Sequence, residues 1–398
     1  MKKPLVILLI LTGQLTALSQ WKFQSSGTNE MLLSVYFTND NTGYAVGNGG
    51  VILKTYDGGS HWSKTIEGST DNLISVCFSD AKNGYILGND YWGTNFIMIT
   101  TNGGSTWAKT YFENSNGLRN IQFPTKDTGY IVGYAGVIYK TTDGGENWSH
   151  HYVGPSYHLW SLYFVNANIG YAVGEKNILK TTDGASTWQH QVSGATDFLY
   201  SVYFLNADTG YVCGSANILK TTNGGADWIK LPATYSHFSI FFTDTDTGYV
   251  GGFQSIMKTT DGGTTWKQQL AFPFCIRSIY FSDSDVGCAV GDSGFIYRTT
   301  TGGELGFNED PWPSLPISIY PNPATGQFNL TFTLDSPSKV NLDVFNNLGE
   351  VVTQILDEEM SRGEHRVIWN ATGMPPGIYF YKLKADNVSS TGKMVVVR

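Results

Sequence analysis

Residues 32–62 read L-L-S-V-Y-F-T-N-D-N-T-G-Y-A-V-G-N-G-G-V-I-L-K-T-Y-D-G-G-S-H-W, and this stretch decides the fold. The run Ser34-Val35-Tyr36-Phe37 is apolar and β-favouring. A polar hairpin follows, then Gly43, the short strand Tyr44-Ala45-Val46 and a second glycine, Gly47. A third strand, Val51-Ile52-Leu53-Lys54, leads into a tight Thr-x-Asp-Gly-Gly turn and Trp62. The Gly of the Gly-Tyr pair returns, with Val286-Gly287-Cys288 as its last variant, at Gly43, Gly84, Gly129, Gly170, Gly210, Gly248 and Gly287, in steps of 38 to 45 residues. Short strands at that period predict radial repetition, an all-β propeller of seven four-stranded blades. Apolar residues on both faces of each strand fit blades stacked face to face. Glycine at position 43 is expected to supply a positive φ in the hairpin.

Six repeats end in tryptophan, at Trp62, Trp107, Trp148, Trp188, Trp228 and Trp266. The seventh, Thr299-Thr300-Thr301-Gly302-Gly303, has none after it. Trp21-Lys22-Phe23-Gln24 stands alone before the first repeat and matches the strand at Trp266-Lys267-Gln268-Gln269. The N-terminal strand is therefore expected to complete the seventh blade, leaving no free edge.

Lys2 and Lys3, the apolar run from Leu5 to Leu11 and the small-residue site Ala17-Leu18-Ser19 read as a signal peptide over residues 1–19. No other stretch is apolar enough to span a membrane, so an exported, soluble chain is expected. The propeller is placed at 20–303, a linker with prolines and acids at 304–316, and a second domain at 317–398. A net charge of −8, with only Arg119, Arg277 and Arg298 as arginines in the repeats, argues against nucleic acid as a partner. The four cysteines are scattered and read as buried free thiols.

The turn T-x-D-G-G-x-x-W, at 55–62, 141–148, 181–188 and 259–266, looks like an Asp-box. With G-Y-x-V-G and I-L-K-T-T it resembles the photosystem II stability/assembly factor repeat family over residues 21–303. In such families the boxes are folding elements, which implies structural roles for Asp57, Asp143, Asp183 and Asp261 and for Trp62, Trp148, Trp188 and Trp266. Asn102, Asn223 and Thr301 replace the Asp elsewhere, as a turn would permit and a catalytic site would not. Residues 317–398 resemble the type IX secretion system C-terminal sorting domain (type A), through Tyr320-Pro321-Asn322-Pro323, the strand at 340–345, Gly349, Gly377-Ile378-Tyr379 and the last strand at 392–397. That resemblance implies a small Ig-like β-sandwich, the secretion machinery as partner, and a secreted or cell-surface location.

Catalytic signals are sparse. The five glutamates of the repeats, Glu30, Glu67, Glu113, Glu146 and Glu175, form no evident acid–base pair. His150 and His151 are strand neighbours and point to opposite faces. No metal or cofactor is expected. Variation collects in the loops at the end opposite the Asp-boxes. The Tyr91-Trp92 insertion lies there, with Tyr134, Tyr157, His158, Phe198, Tyr235, His237, Phe272 and Phe274 nearby. The start of the innermost strand adds Arg119, Trp160, Tyr200, Phe238 and Arg277. Tyr91, Trp92, Arg119, Tyr157, His158, Trp160, Tyr200, Tyr235, His237 and Arg277 are the candidate ligand residues. The competing reading is that they plug the channel or pack between blades. The expected function is a monomeric, non-catalytic, secreted or surface binding module for an extracellular glycan or protein. The alternatives are an extracellular glycan hydrolase and an assembly factor for another exported protein.

Overall fold

The computed structural model describes residues 21–303, except 67–69, 113–114, 116, 155–156 and 234, and residues 317–397, except 335, 347–350 and 386–387. The signal peptide, the linker, Glu67 and Glu113 lie outside the described residues, as does the side chain of Phe272. Trp21–Gly303 forms one compact unit, and the described residues from 317 onward belong to another.

The first unit is all-β, with four-stranded antiparallel sheets of the kind that make propeller blades. The first runs Leu32–Phe37, Gly43–Gly47, Ile52–Thr55, Ser63–Ile66, each strand paired with the next. Four further sheets repeat it, and a sixth has six strands in the order Lys22–Gln24, Ile296–Thr300, Val286–Gly291, Lys267–Phe281, Gly248–Thr259, His237–Phe242. The long strand Lys267–Phe281 pairs first with 255–258 and then with 287–291, so it serves two successive repeats. Lys22, Phe23 and Gln24 pair antiparallel with Arg298, Tyr297 and Ile296.

Three contacts recur around the unit. The first joins the two turns of one end: Gly58 N donates to Asn41 O at 2.9 Å, and the same bond recurs in each repeat down to Gly302 N to Asp285 O at 2.7 Å. The second joins neighbouring repeats. Tyr44 Oη and Lys54 Nζ both donate to Gly103 O of the next Asp-box turn, at 2.8 and 2.6 Å. Tyr130 with Lys140, Tyr171 with Lys180 and Tyr211 with Lys220 do the same to Gly184, Gly224 and Gly262. In the last repeat Cys288 stands where the tyrosine would, and Arg298 Nε alone donates to Gly58 O of the first, at 2.6 Å. Arg298 is thus a structural clamp. The third contact links the innermost strands through serine, as described below.

Glycine at position 43 proves to be there for space rather than for a positive φ. A Cβ on it would lie 2.6 Å from the Phe37 ring, and the six equivalent glycines meet Phe78, Phe123, Phe164, Phe204, Phe242 and Phe281 at 2.3 to 2.5 Å. Left-handed backbone sits instead in the Asp-box, at Gly58 and Gly59 with φ of 68° and 88°. Each box tryptophan stands edge-on to the phenylalanine of its own repeat, as Trp62 does to Phe37 at 6.0 Å between centroids. Trp21 makes the same contact with Phe281, at 5.8 Å.

Within the box, Thr141 Oγ1 accepts from Gly145 N, while Asp143 accepts from Thr141 Oγ1 and from the Asn147 backbone and side chain. Hydrogen bonds from the Asn147 backbone hold the Asp143 carboxyl down at about 2. Thr187 and Thr265 do the same for Asp183 and Asp261, also at about 2. An unfolded aspartate titrates near 3.9, so these bonds stabilise the fold fully above about pH 4 and are lost as pH falls through about 2. Thermal melts across that window are expected to show falling stability. The triple variant Asp143→Asn, Asp183→Asn, Asp261→Asn should flatten the slope, and an unchanged slope would disprove the assignment.

The second unit contains two antiparallel sheets, Ile317–Tyr320, Gln327–Leu334, Gly363–Asn370 and Val351–Met360, Ser338–Phe345, Gly377–Ala385, Val388–Val396. Alternate residues of both sheets, among them Phe328, Leu330, Phe332, Val340, Leu342, Trp369, Leu383 and Met394, make one buried core. Among the described residues no helix is long and apolar enough to cross a membrane.

Candidate functional site: a cup at the inner strands

The innermost strands share an irregularity. Their register with the second strand shifts by one residue at Leu33, Ile74, Arg119, Tyr200, Phe238 and Arg277. A β-bulge leaves one residue out of the ladder and re-aims its side chain. Trp160 holds the equivalent place in the remaining repeat, its backbone N–H donating to Val173 O at 2.8 Å. These seven side chains and the Ser or Asn that follows each line a cup of about 440 Å3.

The following residues form the third recurrent contact. Ser34 Oγ accepts from Val76 N, Ser75 from Ile121 N, Asn120 Oδ1 from Leu162 N and Ser161 from Val202 N. Ser201, Ser239 and Ser278 accept from Ile240, Ile279 and Val35, and the seven bonds measure 3.0 to 3.4 Å. Serine is small enough to let the strands converge, and its oxygen satisfies an N–H on the free edge of the next innermost strand, two residues past the bulge.

One layer deeper lies a girdle of aromatic rings. Tyr163, Tyr203, Phe241, Tyr280 and Tyr36 follow one another with centroids 4.8 to 5.3 Å apart. Burial raises the phenol pKa of Tyr36, Tyr163 and Tyr203, and pushes Tyr280 up to about 12. The hydroxyls are therefore neutral donors at any physiological pH. This layer narrows the channel beneath the cup.

Arg119 and Arg277 share the cup wall but differ in pairing. Arg277 Nε bonds Asp292 Oδ1 at 2.8 Å, and its guanidinium lies 4.9 Å over Phe238. Arg119 donates to Tyr134 Oη and lies over the Tyr134 and Trp160 rings at 4.4 and 4.8 Å, with no carboxylate paired to it among the described residues. Between the arginines, Trp160 meets Tyr200 edge-on at 5.9 Å and Tyr200 meets Phe238 at 5.3 Å. Tyr200 Oη is 3.0 Å from Ser215 Oγ.

Of the expected ligand residues, Arg119, Trp160, Tyr200 and Arg277 thus meet in the cup. His237 does not. It is 2 % exposed, it occupies a core position that is leucine in five other repeats, and desolvation lowers its pKa to about 4. Its neighbour Phe238 is the cup residue. Tyr157 is half-buried against the cluster of Val132, Ile138 and Leu159. His158 accepts from Ala135 N and packs on Tyr134. Tyr235 is exposed. Tyr91 and Trp92 stand out at 75 % and 85 % exposure on a turn held by Asp90, whose Oδ1 accepts from Trp92 N and Thr94 N, each at 2.9 Å. Their rings meet edge-on at 5.3 Å, and no other ring contact involves them among the described residues. The serine and tyrosine columns escaped the sequence reading, although the recurrent S-V-Y-F at 34–37 and 201–204 carried their signal. Among the described residues no three His, Cys, Asp or Glu side chains gather to hold a metal ion, and all four cysteines are free.

The comparisons agree with this geometry. The profile of the secretion system C-terminal sorting domain matches residues 318–397. The profile of the photosynthesis system II assembly factor YCF48 matches 14–116, 66–156 and 153–236. No protein with a curated description matches the chain. Among solved structures, one titled "YCF48 bound to D1 peptide" is 20 % identical with a TM-score of 0.60, over 71 % of this chain and 95 % of that one. YCF48 from Cyanidioschyzon merolae is 18 % identical with a TM-score of 0.58, over 70 % and 98 %. The GH74 enzyme of Niastella koreensis is 13 % identical with a TM-score of 0.59, over 95 % and 75 %. Likeness at these identities speaks for the fold alone. Since the repeat profile reaches over residues 14–236, more than half of the sequence, the chain belongs to the family of the photosynthesis system II assembly factor YCF48, and it ends in a type IX secretion C-terminal sorting domain.

Proposed function

We propose that this is an exported binding module, a seven-bladed propeller closed by its N-terminal strand, whose ligand face is the end carrying the cup and the Tyr91-Trp92 turn. The cup carries the reading. Its wall offers aromatic rings, hydroxyls and two arginines, and no carboxylate is among the described residues that line it. A glycosidase sets two carboxylates across the scissile bond, so this lining favours holding a ligand over cleaving one. The signal peptide at 1–19 and the Ig-like sorting domain would take the chain to the cell surface or medium. Assembly of another exported protein is the second reading. It is favoured by the structural relative whose title has it bound to a peptide, and by Arg119, which meets no carboxylate among the described residues.

The test is capture of surface glycans on an array, and of surface proteins, by the full chain and by a Tyr91→Ala, Trp92→Ala variant. Both rings lie outside the repeated core, so the variant should melt within about 1 °C of wild type, as exposed substitutions usually do. It should also bind at least tenfold more weakly, the scale of a lost aromatic anchor of about 1.4 kcal/mol or more. Undiminished capture would remove the turn from the ligand face, and no capture by either chain would remove the binding reading.

A further inference from the structure

The cup is lined by donors that have no partner of their own. Ser34, Ser75, Ser161, Ser201, Ser239 and Ser278 each use the oxygen to accept a backbone N–H from the next repeat. None of their hydroxyl hydrogens meets an acceptor among the described residues. A hydroxyl has one hydrogen to give, and these six line the cup with theirs uncommitted. The only amide among them, Asn120, is spent on both sides, with Oδ1 on Leu162 N and Nδ2 on Ser75 Oγ. Below them the hydroxyls of Tyr163 and Tyr203 likewise meet no hydrogen-bonded acceptor among the described residues. Arg119 adds a positive charge without a carboxylate, whereas Arg277 is already neutralised by Asp292.

From these uncommitted donors beside the Arg119 charge we infer that the cup receives an anionic, acceptor-rich group, the carboxylate-bearing terminal sugar of a uronic-acid glycan, seated at the Arg119 side. The inference rests on the binding-module reading and adds the chemistry of the ligand. A carboxylate accepts from up to four directions and donates none, which matches a ring of donors. Tyr200, on the wall between the two arginines, offers an aromatic ring on which a pyranose stacks, whereas the Trp160 and Phe238 rings each carry a guanidinium on one face.

The experiment is calorimetric titration of the full chain, at low ionic strength, with a galacturonate tetramer, a neutral galactose tetramer and tetraglutamate. The galacturonate tetramer should bind, and the other two should bind at least tenfold more weakly. Arg119→Gln should weaken galacturonate binding about tenfold or more, the usual worth of a hydrogen bond to a charged group. Tyr203→Phe keeps the ring and removes only a hydroxyl, so it should fold as wild type and weaken binding severalfold. Equal binding of the neutral tetramer would overturn the anionic inference and leave a binding module standing. Tetraglutamate binding as tightly as galacturonate would replace the sugar by a peptide carboxylate. Absence of galacturonate binding, or wild-type affinity in both variants, would overturn the inference outright.

Discussion

Replacing Trp21 by alanine is expected to destabilise the propeller by about 3–5 kcal/mol, the range for truncating a buried aromatic. Trp21 is fully buried, edge-on to Tyr249 at 6.3 Å and to Phe281 at 5.8 Å. The box tryptophans that hold the same place in other repeats, such as Trp148, are only half-buried. The strand behind Trp21 is also short, pairing three residues with 296–298. Losing its anchor would free that edge of the six-stranded sheet as well as open a cavity. In a unit of this size the midpoint should fall by roughly 6–20 °C, at about 2–4 °C per kcal/mol. Trp148→Ala should cost less. Calorimetry on both variants decides it: a Trp21 variant melting within a degree or two of wild type would mean that the N-terminal strand does not close the ring.

The boundary between what could and could not be read from the chain runs through particular residues. The repeat, its four strands and the odd tryptophan were all legible because period and punctuation are local properties. So were Arg119, Trp160, Tyr200 and Arg277 as one column. Phe238 was read in the same column, but His237 was read as a loop residue, whereas the innermost strand already begins there and turns it into the core while the bulge re-aims Phe238. The glycine of the Gly-Tyr pair was correctly singled out but for the wrong cause, since a collision with Phe37 depends on a ring packed from another strand. The clamp role of Arg298 was not legible, because its partner, the Gly58 carbonyl, lies 240 residues away. Tertiary partners of that kind leave no trace in spacing.

Deleting residues 317–398 is expected to abolish export across the outer membrane while leaving the propeller folded inside it. The two units fold on separate cores: Trp21–Gly303 is compact by itself, and the second unit buries Phe328, Phe332, Trp369 and Leu383 in a cluster of its own. Each core is therefore expected to survive without the other, and the truncated chain should melt within a few degrees of the full one. The sorting-domain profile covers 318–397 alone, so the address is expected to leave with the deletion. Fractionation of cells making the two chains gives the readout. The full chain should appear at the surface or in the medium, and the truncated chain should be confined to the periplasm, folded and resistant to protease. A truncated chain that reaches the medium as efficiently as the full one would show that the propeller carries an export signal of its own. A truncated chain that is degraded would contradict the independence of the two cores, and melting the separately purified 20–303 fragment distinguishes that outcome from failed export.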